Sequence, residues 1–153
     1  MRFSGGQYVM PRKLFLAPLL LAVAILVALP SAPGAASVAG ITERVSVDSA
    51  GNQADNDSYE LSISADGRFV AFHSSASNLT PGTCGVNDIF VHDRQTGVTE
   101  CASVDSSGSQ ALGYSHYPVI SGDGRFVAFT SSASNLVPND TNGVWDVSST
   151  IAR

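Results

Sequence analysis

Two stretches of sixteen residues that lie 57 positions apart are nearly identical. Ser64–Leu79 reads SADGRFVAFHSSASNL and Ser121–Leu136 reads SGDGRFVAFTSSASNL, so fourteen of the sixteen positions agree. At the same offset, Ile41–Ala54 aligns with Val98–Ala111. A segment that recurs at such a period is usually one supersecondary unit, which buries its apolar face by stacking on the next copy. The sequence therefore predicts a protein built from repeats.

Each repeat is predicted to form four antiparallel strands. In the first repeat these strands are Glu60–Ser64, Arg68–Ser74, Asp88–Arg94 and Val98–Val104. Short apolar runs separated by Asp-Gly and Thr-Gly pairs are typical of strands joined by tight turns. A further strand is expected at Ile41–Val47, which corresponds to the fourth strand of a preceding repeat.

The second strand of the repeat is apolar on both of its faces. Phe69 and Ala71 point to one side and Val70 and Phe72 to the other, because successive side chains of a strand alternate. A strand of this kind must be covered on both faces. In the alternative arrangement, a tandem β-sandwich, strands alternate between core and solvent. We therefore expect an all-β fold whose four-stranded sheets stack as blades of a β-propeller.

These motifs resemble the TolB-type, WD40-like propeller repeat. The first copy of its signature is carried by Ser64, Asp66, Gly67, Arg68, Ala71, Phe72, Asp88, Ile89, Phe90, Val91, Thr96 and Gly97. The second copy is carried by Ser121, Asp123, Gly124, Arg125, Ala128 and Phe129. The resemblance implies an exported binding or scaffolding protein whose complete propeller holds a protein or glycan at its loop faces. The motifs identify a fold that supports many functions.

The chain holds fewer blades than a closed propeller needs. A partial propeller is predicted over residues 41–153, with repeats at 41–97 and 98–153. The residues Phe90–Gln95 can be encoded by the codons TTC GTC CAC GAT CGC CAG, followed by the base A. Deletion of one T from the first codon shifts the reading frame and gives the codons TCG TCC ACG ATC GCC AGA. That sequence encodes Ser148–Arg153, so we interpret the chain as a propeller protein truncated by a frameshift. The alternatives are a fragment of a propeller lyase or hydrolase with its site at the channel mouth, an inactive pseudogene product, or a divergent tail.

Residues 1–39 are predicted to be a signal peptide and its cleavage region. Arg2, Arg12 and Lys13 precede the uncharged run Leu14–Leu29, and small residues follow it. This run of sixteen residues contains Pro18 and is shorter than the about 20 residues that span a bilayer. We therefore expect a secreted, periplasmic or cell-envelope protein that meets the membrane only through its signal segment. The net charge of −5 argues against nucleic-acid binding.

No residue of the chain is predicted to be catalytic or to bind a cofactor. His73 and His116 align with a threonine and a tyrosine in the other repeat, so the fold requires neither imidazole. His92 is expected to face Glu100 across a hairpin as a cross-strand pair. A catalytic serine would be expected in a Gly-x-Ser-x-Gly turn, which the sequence lacks. We therefore interpret the protein as non-enzymatic.

The stretch PNDTNGVWD is a candidate for a Ca²⁺ site. Asp140, Asn142 and Asp146 offer oxygen ligands around a glycine bend, as Ca²⁺ sites require. The equivalent loop of the first repeat keeps only Gly85 and Asp88. The alternative interpretation is a loop built on Asx turns that binds no metal.

The two cysteines are expected to be free thiols or to form an incidental bridge. Cys84 precedes the third strand, whereas Cys101 lies within the fourth and is expected opposite Val91. This spacing exceeds the about 7 Å between Cα atoms that a disulfide allows, unless the loop folds back. An oxidising compartment would permit the bond. Two cysteines without clustered His or Cys residues make no zinc site.

Overall fold

The computed structural model describes residues 40–152, and the predicted signal peptide lies outside them. The regular structure of this range consists of seven strands: β1 (Ser58–Ile63), β2 (Phe69–Ser74), β3 (Asp88–Asp93), β4 (Thr99–Cys101), β5 (Ser115–Ile120), β6 (Phe126–Ser131) and β7 (Asp146–Ile151). The first sheet has the strand order β1-β2-β3-β4 and the second has β5-β6-β7, all antiparallel. The predicted all-β class is therefore confirmed. No helix in this range has the length and apolar character needed to cross a membrane.

An Asp-Gly turn joins the first two strands of each sheet. In the first sheet, Ser64 Oγ donates a hydrogen bond to Asp66 Oδ1 at 2.6 Å and accepts one from Phe69 N at 3.0 Å. Gly67 takes a φ of +72°, which a residue without a Cβ adopts readily. The SGDG stretch of the second sheet forms the same hydrogen bonds. The Ser-x-Asp-Gly motif therefore determines where β1 and β5 end.

The two sheets contain the same backbone irregularity. The pairing of β1 with β2 shifts register between Tyr59 and Leu61, and the pairing of β5 with β6 shifts between His116 and Val119. At the centre of these bulges, Glu60 and Tyr117 have φ values of +51° and +56°. A bulge bends its strand and redirects side chains. The bulge therefore lies on an edge strand in both sheets, on β1 in the first and on β5 in the second.

Two expected strands differ from the structure. The fourth strand, expected at Val98–Val104, pairs only over Thr99–Cys101. The expected strand at Ile41–Val47 is wrong, because only Val47 pairs, in an isolated bridge to Gln53. A strand requires a neighbour on which to form its ladder, and residues 41–44 are exposed and pair with no strand in the described part of the chain.

The prediction that β2 is covered on both faces is confirmed. On one face, Ala71 packs with Ile89 and Val91 of β3 against the Val127 and Phe129 side chains of the second sheet. Burial of each such side chain contributes about 1.5–3 kcal/mol relative to leaving it exposed. The first sheet is therefore an inner layer.

The other face of β2 has a separate core. Val70 and Phe72 pack there against Phe90 of β3 and Leu79 of the following loop. We call residues 40–57, which precede β1, the N-terminal segment. Its Val45 and Ala54 side chains cover this core from outside.

Of the two expectations for the cysteines, free thiols are contradicted by the structure and a bridge is found. Cys84 and Cys101 form a disulfide, with their Cα atoms 6.0 Å apart. The loop between β2 and β3 folds back over the sheet and buries Cys84 in the core beside Phe72. Cys101 is paired with Phe90 rather than Val91, so its side chain lies on that same face. The bond links the loop to the edge strand β4.

Candidate functional site

Within residues 40–152, no other part of the chain covers one face of the second sheet. This open face consists of Phe126, Ala128, Thr130, Val147, Ser149 and Ile151, which share one side of β6 and β7 by register. Its three largest apolar side chains, Phe126, Val147 and Ile151, are 43%, 78% and 65% exposed. Exposed apolar patches rimmed by polar groups commonly mark interaction sites.

Three apolar positions of the open face match apolar positions on the covered face of the first sheet. Phe69 and Ala71 of β2 align with Phe126 and Ala128 of β6, and Ile89 of β3 aligns with Val147 of β7. Ala71 and Ile89 are fully buried, because the second sheet lies on them. The open face therefore has the residue pattern of a surface that a neighbouring sheet covers.

The outer edge of β7 pairs with no other strand of residues 40–152. The other three sheet edges carry features that discourage strand addition: β1 and β5 have bulges, β5 also contains Pro118, and β4 is three residues long. In contrast, β7 has six residues, no bulge, and neither Lys, Arg nor Pro. A regular edge of this kind is a template for another strand.

A groove of about 820 Å³ runs beside this edge. Its lining includes Thr99–Ala102 at β4, Thr150–Ala152 at the end of β7 and Asp48–Ala50 of the N-terminal segment. The groove therefore joins the free edge to the segment that precedes the first sheet.

The N-terminal segment contains a counterpart of β4. Thr42–Arg44 aligns with Thr99–Cys101, and it is exposed and pairs with no strand in the described range. Glu43 forms an ion pair with Arg94 at the end of β3. Val45 continues the segment onto the face of the first sheet that points away from the second sheet.

Two of the histidines meet a glutamate between the two sheets. His73 of β2 and His116 of β5 stack with their ring centroids 4.4 Å apart, at an angle of 16°. Glu60 Oε2 lies 3.3 Å from His116 Nδ1 and accepts a hydrogen bond from the Tyr117 backbone at 2.9 Å. One ligand atom from each of Glu60, His73 and His116 lies within 4.8 Å of the others. Sequence reasoning missed this cluster.

The protonation of His73 follows from its surroundings. Burial lowers the pKa of its imidazole, and the neighbouring His116 lowers it further, while Glu60 opposes both effects. The ring is therefore neutral near pH 7, the form in which histidine binds a metal. Neither ring nitrogen of His73 has a hydrogen-bond partner among the described residues.

His92 does not form the expected pair with Glu100. The register places His92 opposite Thr99, and its Nδ1 lies 2.9 Å from Thr99 Oγ1. The QTG turn is one residue longer than expected, since Asp93 N donates to Val98 O. Burial lowers the pKa of His92, and its hydroxyl partner makes it a structural residue.

The candidate calcium loop lies between β6 and β7. Asn142 Nδ2 donates to Asp146 Oδ2 at a long 3.5 Å, and Asn142 Oδ1 accepts from Val144 N at 3.0 Å. The structure gives no hydrogen bond between Asp140 and either residue in the described part of the chain, and Asp140 Oδ1 is buried. The hydrogen bond to Val144 is that of an Asx turn.

The equivalent aspartate of the first sheet has a structural role. Asp88 is fully buried and accepts hydrogen bonds from Ser103 Oγ at 2.7 Å, Gln110 Nε2 at 3.0 Å and Gly85 N at 3.1 Å. Burial raises the pKa of this carboxyl group, although the three hydrogen bonds favour the charged form. Asp88 thus connects the β2–β3 loop to residues that follow β4.

The chain matches no protein-family model, no curated protein and no solved structure.

Proposed function

We propose that this chain is a non-enzymatic, exported binding and scaffolding module, related to TolB-type propeller repeats, whose two sheets are successive blades. The observation that carries the proposal is the correspondence between the open face of the second sheet and the covered face of the first. A surface with the pattern of a buried one, beside an unprotected edge, is suited to receive another blade.

The occupant that fits this surface is a second copy of the same chain. In the first sheet, β4 adds to β3 through residues 99–101. The matching segment Thr42–Arg44 has no strand partner in the described range, and the strand that matches β3 is β7. Strand addition to an exposed edge is a common mode of protein recognition.

The pairing between copies would be chemically compatible. By alignment with the first sheet, it places Arg44 opposite Ser148, Glu43 opposite Ser149 and Thr42 opposite Thr150. No pair brings like charges together, which would oppose pairing. The outward backbone groups of β7 would gain hydrogen bonds along this new edge.

Residues 42–44 of the N-terminal segment do not pair with β7 of their own copy, although Asp48–Ala50 line the groove beside the end of that strand. Val45 and Ala54 pack against the Val70 and Phe72 face of the first sheet, whereas the second sheet packs against the opposite face. In a neighbouring copy the same segment would face the free edge. The first sheet of one copy then packs on the second sheet of its neighbour in the same way as the two sheets pack within one copy. The Ser/Asn/Asp-rich loops of this assembly form the surface that binds a protein or glycan.

The first experiment measures self-association of the full chain by sedimentation velocity over a range of concentrations. Wild type is expected to associate, whereas the acceptor variant Val147→Lys/Ile151→Lys is expected to sediment as a monomer. Both positions are exposed, so the lysines cost the monomer little. Leu112→Lys, at a side chain that is 81% exposed outside the strands, is the matched control and is expected to associate like wild type.

A mixing experiment tests the direction of the contact. We call Thr42–Arg44 the donor segment and the edge of β7 the acceptor edge. Ala102 and Val98 form backbone hydrogen bonds with β3, so Glu100, which lies midway between them, is also at a hydrogen-bonded position. Glu43 is the counterpart of Glu100, and the donor variant Glu43→Pro therefore removes one backbone N–H from the proposed pairing. Glu43→Ala removes only the ion pair with Arg94 and is its control. Donor and acceptor variants are expected to be monomeric alone and to form a dimer when mixed, since each keeps one intact surface. A monomeric wild type, or variants that associate like wild type, would overturn the proposal.

A further inference from the structure

His73 is a buried imidazole that forms no hydrogen bond within residues 40–152. Its side chain is 0% exposed, and both of its nitrogens lack a hydrogen bond in the described part of the chain. A buried polar group without a partner carries an unfavourable desolvation energy of about 1–3 kcal/mol. Buried polar groups are almost always satisfied, so the two nitrogens of His73 need a partner, and a bound water or ion would supply one.

His116 and Glu60 place two more metal-binding atoms around this ring. The ligand atoms of the three residues lie within 4.8 Å of one another. Ligands at 2.0–2.1 Å from a tetrahedral ion are about 3.4 Å apart, so binding of an ion requires these atoms to draw closer than the 4.8 Å within which they lie. His116 and Glu60 have side chains 26% and 22% exposed, which gives an ion access from solvent.

All three residues depart from the repeat. His73 corresponds to Thr130, Glu60 to Tyr117 and His116 to Tyr59. The fold therefore forms without these side chains at the matching positions of the other repeat. These three residues come from both repeats, and they nevertheless lie close together where β5 packs against β1 and β2.

We propose that Glu60, His73 and His116 form a binding site for a divalent transition-metal ion of the zinc class. Two imidazoles and one carboxylate suit such an ion, whereas Ca²⁺ and Mg²⁺ prefer oxygen ligands alone. Three protein ligands leave a fourth position for water or for a group of a bound molecule. The site goes beyond the proposed scaffolding function and does not depend on it.

The chain carries its own reporter for this site. Trp145 is the single tryptophan of the sequence, and its indole ring lies 5.6 Å from the His116 ring. Co²⁺, which takes the place of Zn²⁺ and has visible absorption, is the probe. Titration of the untagged full chain with CoCl₂ is expected to give a one-to-one absorption band and, in parallel, to quench the Trp145 fluorescence.

The repeat supplies the test variants, since His73→Thr and His116→Tyr each introduce the residue of the other repeat. Each is expected to weaken Co²⁺ binding by at least about tenfold. His92→Gln, which removes a histidine outside the cluster, is the control and is expected to bind like wild type. Glu60→Gln is a further variant at a partly exposed position, which carries the test if His73→Thr does not fold.

Three results would overturn the proposed metal site. Absence of a cobalt band at millimolar metal would overturn the proposal, and so would equal binding by wild type, His116→Tyr and Glu60→Gln. Loss of binding to the same extent in a His92→Gln variant that keeps the wild-type circular dichroism spectrum would also overturn it, because the ion would then not be held by the cluster. These results are independent of sedimentation behaviour, so the metal site and the scaffolding function fail separately.

Discussion

Ile89 of β3 is fully buried, whereas Val147, at the corresponding position of β7, is 78% exposed. The two residues have the same place in their sheets, and both lie opposite the fifth residue of the preceding strand, His73 or Thr130. The difference in burial arises because the second sheet covers Ile89 and nothing in the described range covers Val147.

Alanine substitution at these two positions is expected to have unequal effects. Ile89→Ala leaves a cavity between the sheets and should lower the free energy of unfolding by about 2–5 kcal/mol. Val147→Ala should change it by no more than about 0.5 kcal/mol at a concentration where the chain is monomeric. Urea unfolding followed by circular dichroism measures both. Equal losses would show that Val147 is buried in the folded monomer.

Gly113 is expected to tolerate no side chain. A Cβ at this position would lie 2.8 Å from Ala133 N and 2.9 Å from Ser132 C, both backbone atoms. Gly113→Ala should therefore displace the start of β5 and lower the free energy of unfolding by about 1–3 kcal/mol. Gly122→Ala is the matched control, since its Cβ would only touch Ala65 at an ordinary 3.6 Å. Thermal unfolding of the two variants gives the comparison.

The disulfide is expected to stabilise the first sheet. Cys84 and Cys101 are 17 positions apart, and a loop of that size corresponds to about 3 kcal/mol of stabilisation in the chain-entropy description. Wild type should therefore unfold at lower urea concentration in the presence of a reductant. The Cys84→Ser/Cys101→Ser variant should unfold at low urea with or without reductant. If the urea midpoint of wild type is the same with and without reductant, the disulfide does not stabilise the first sheet.

The ion pair between Arg68 and Asp93 predicts a dependence of stability on pH. Arg68 Nε and Nη2 donate to the Asp93 carboxylate at 2.9 and 2.7 Å, and these bonds hold its pKa far below the usual 3.8. A carboxyl group with a lowered pKa in the folded state stabilises the fold above the unfolded pKa, and this contribution is lost as pH falls below about 4. The melting temperature of wild type should therefore fall more steeply below pH 4 than that of Asp93→Asn.

Arg125 provides the control for this ion pair. Arg68 and Arg125 both stack on the phenylalanine that follows them, at 4.6 and 5.4 Å from the ring centroid. Arg68 alone of the two forms a salt bridge within residues 40–152. Arg68→Ala should therefore lower the melting temperature more than Arg125→Ala at pH 7, and the gap should narrow at pH 3. An equal gap at both pH values would mean that Asp93 is not responsible.

Local sequence determined what could be predicted of the fold. The two-sided pattern around Val70 and Phe72 identified a covered central strand, and the Ser-x-Asp-Gly motifs located the turns. These features depend on residues near one another in the chain. The strand expected at Ile41–Val47 was wrong for the opposite reason: its pattern is that of a strand, but pairing requires a neighbour.

The candidate sites depended on longer-range packing. Cys84 reaches Cys101 because its loop folds back over the sheet, and no spacing rule predicts that path. The cluster of Glu60, His73 and His116 forms because β5 crosses β1 and β2, which joins residues of two repeats. One signal was present in the sequence, namely that all three residues depart from the repeat pattern.

The free edge of β7 belongs to a contact whose two surfaces differ, so the proposed assembly is heterologous. Every open chain of copies would keep one unsatisfied surface at each end, and growth would stop only when the last copy meets the first. The rotation from the first sheet to the second within one copy is applied again with each added copy. That rotation decides between a closed ring and a filament, so substitutions where β2 packs on β5 would change which of the two the proposed assembly forms, without altering β7.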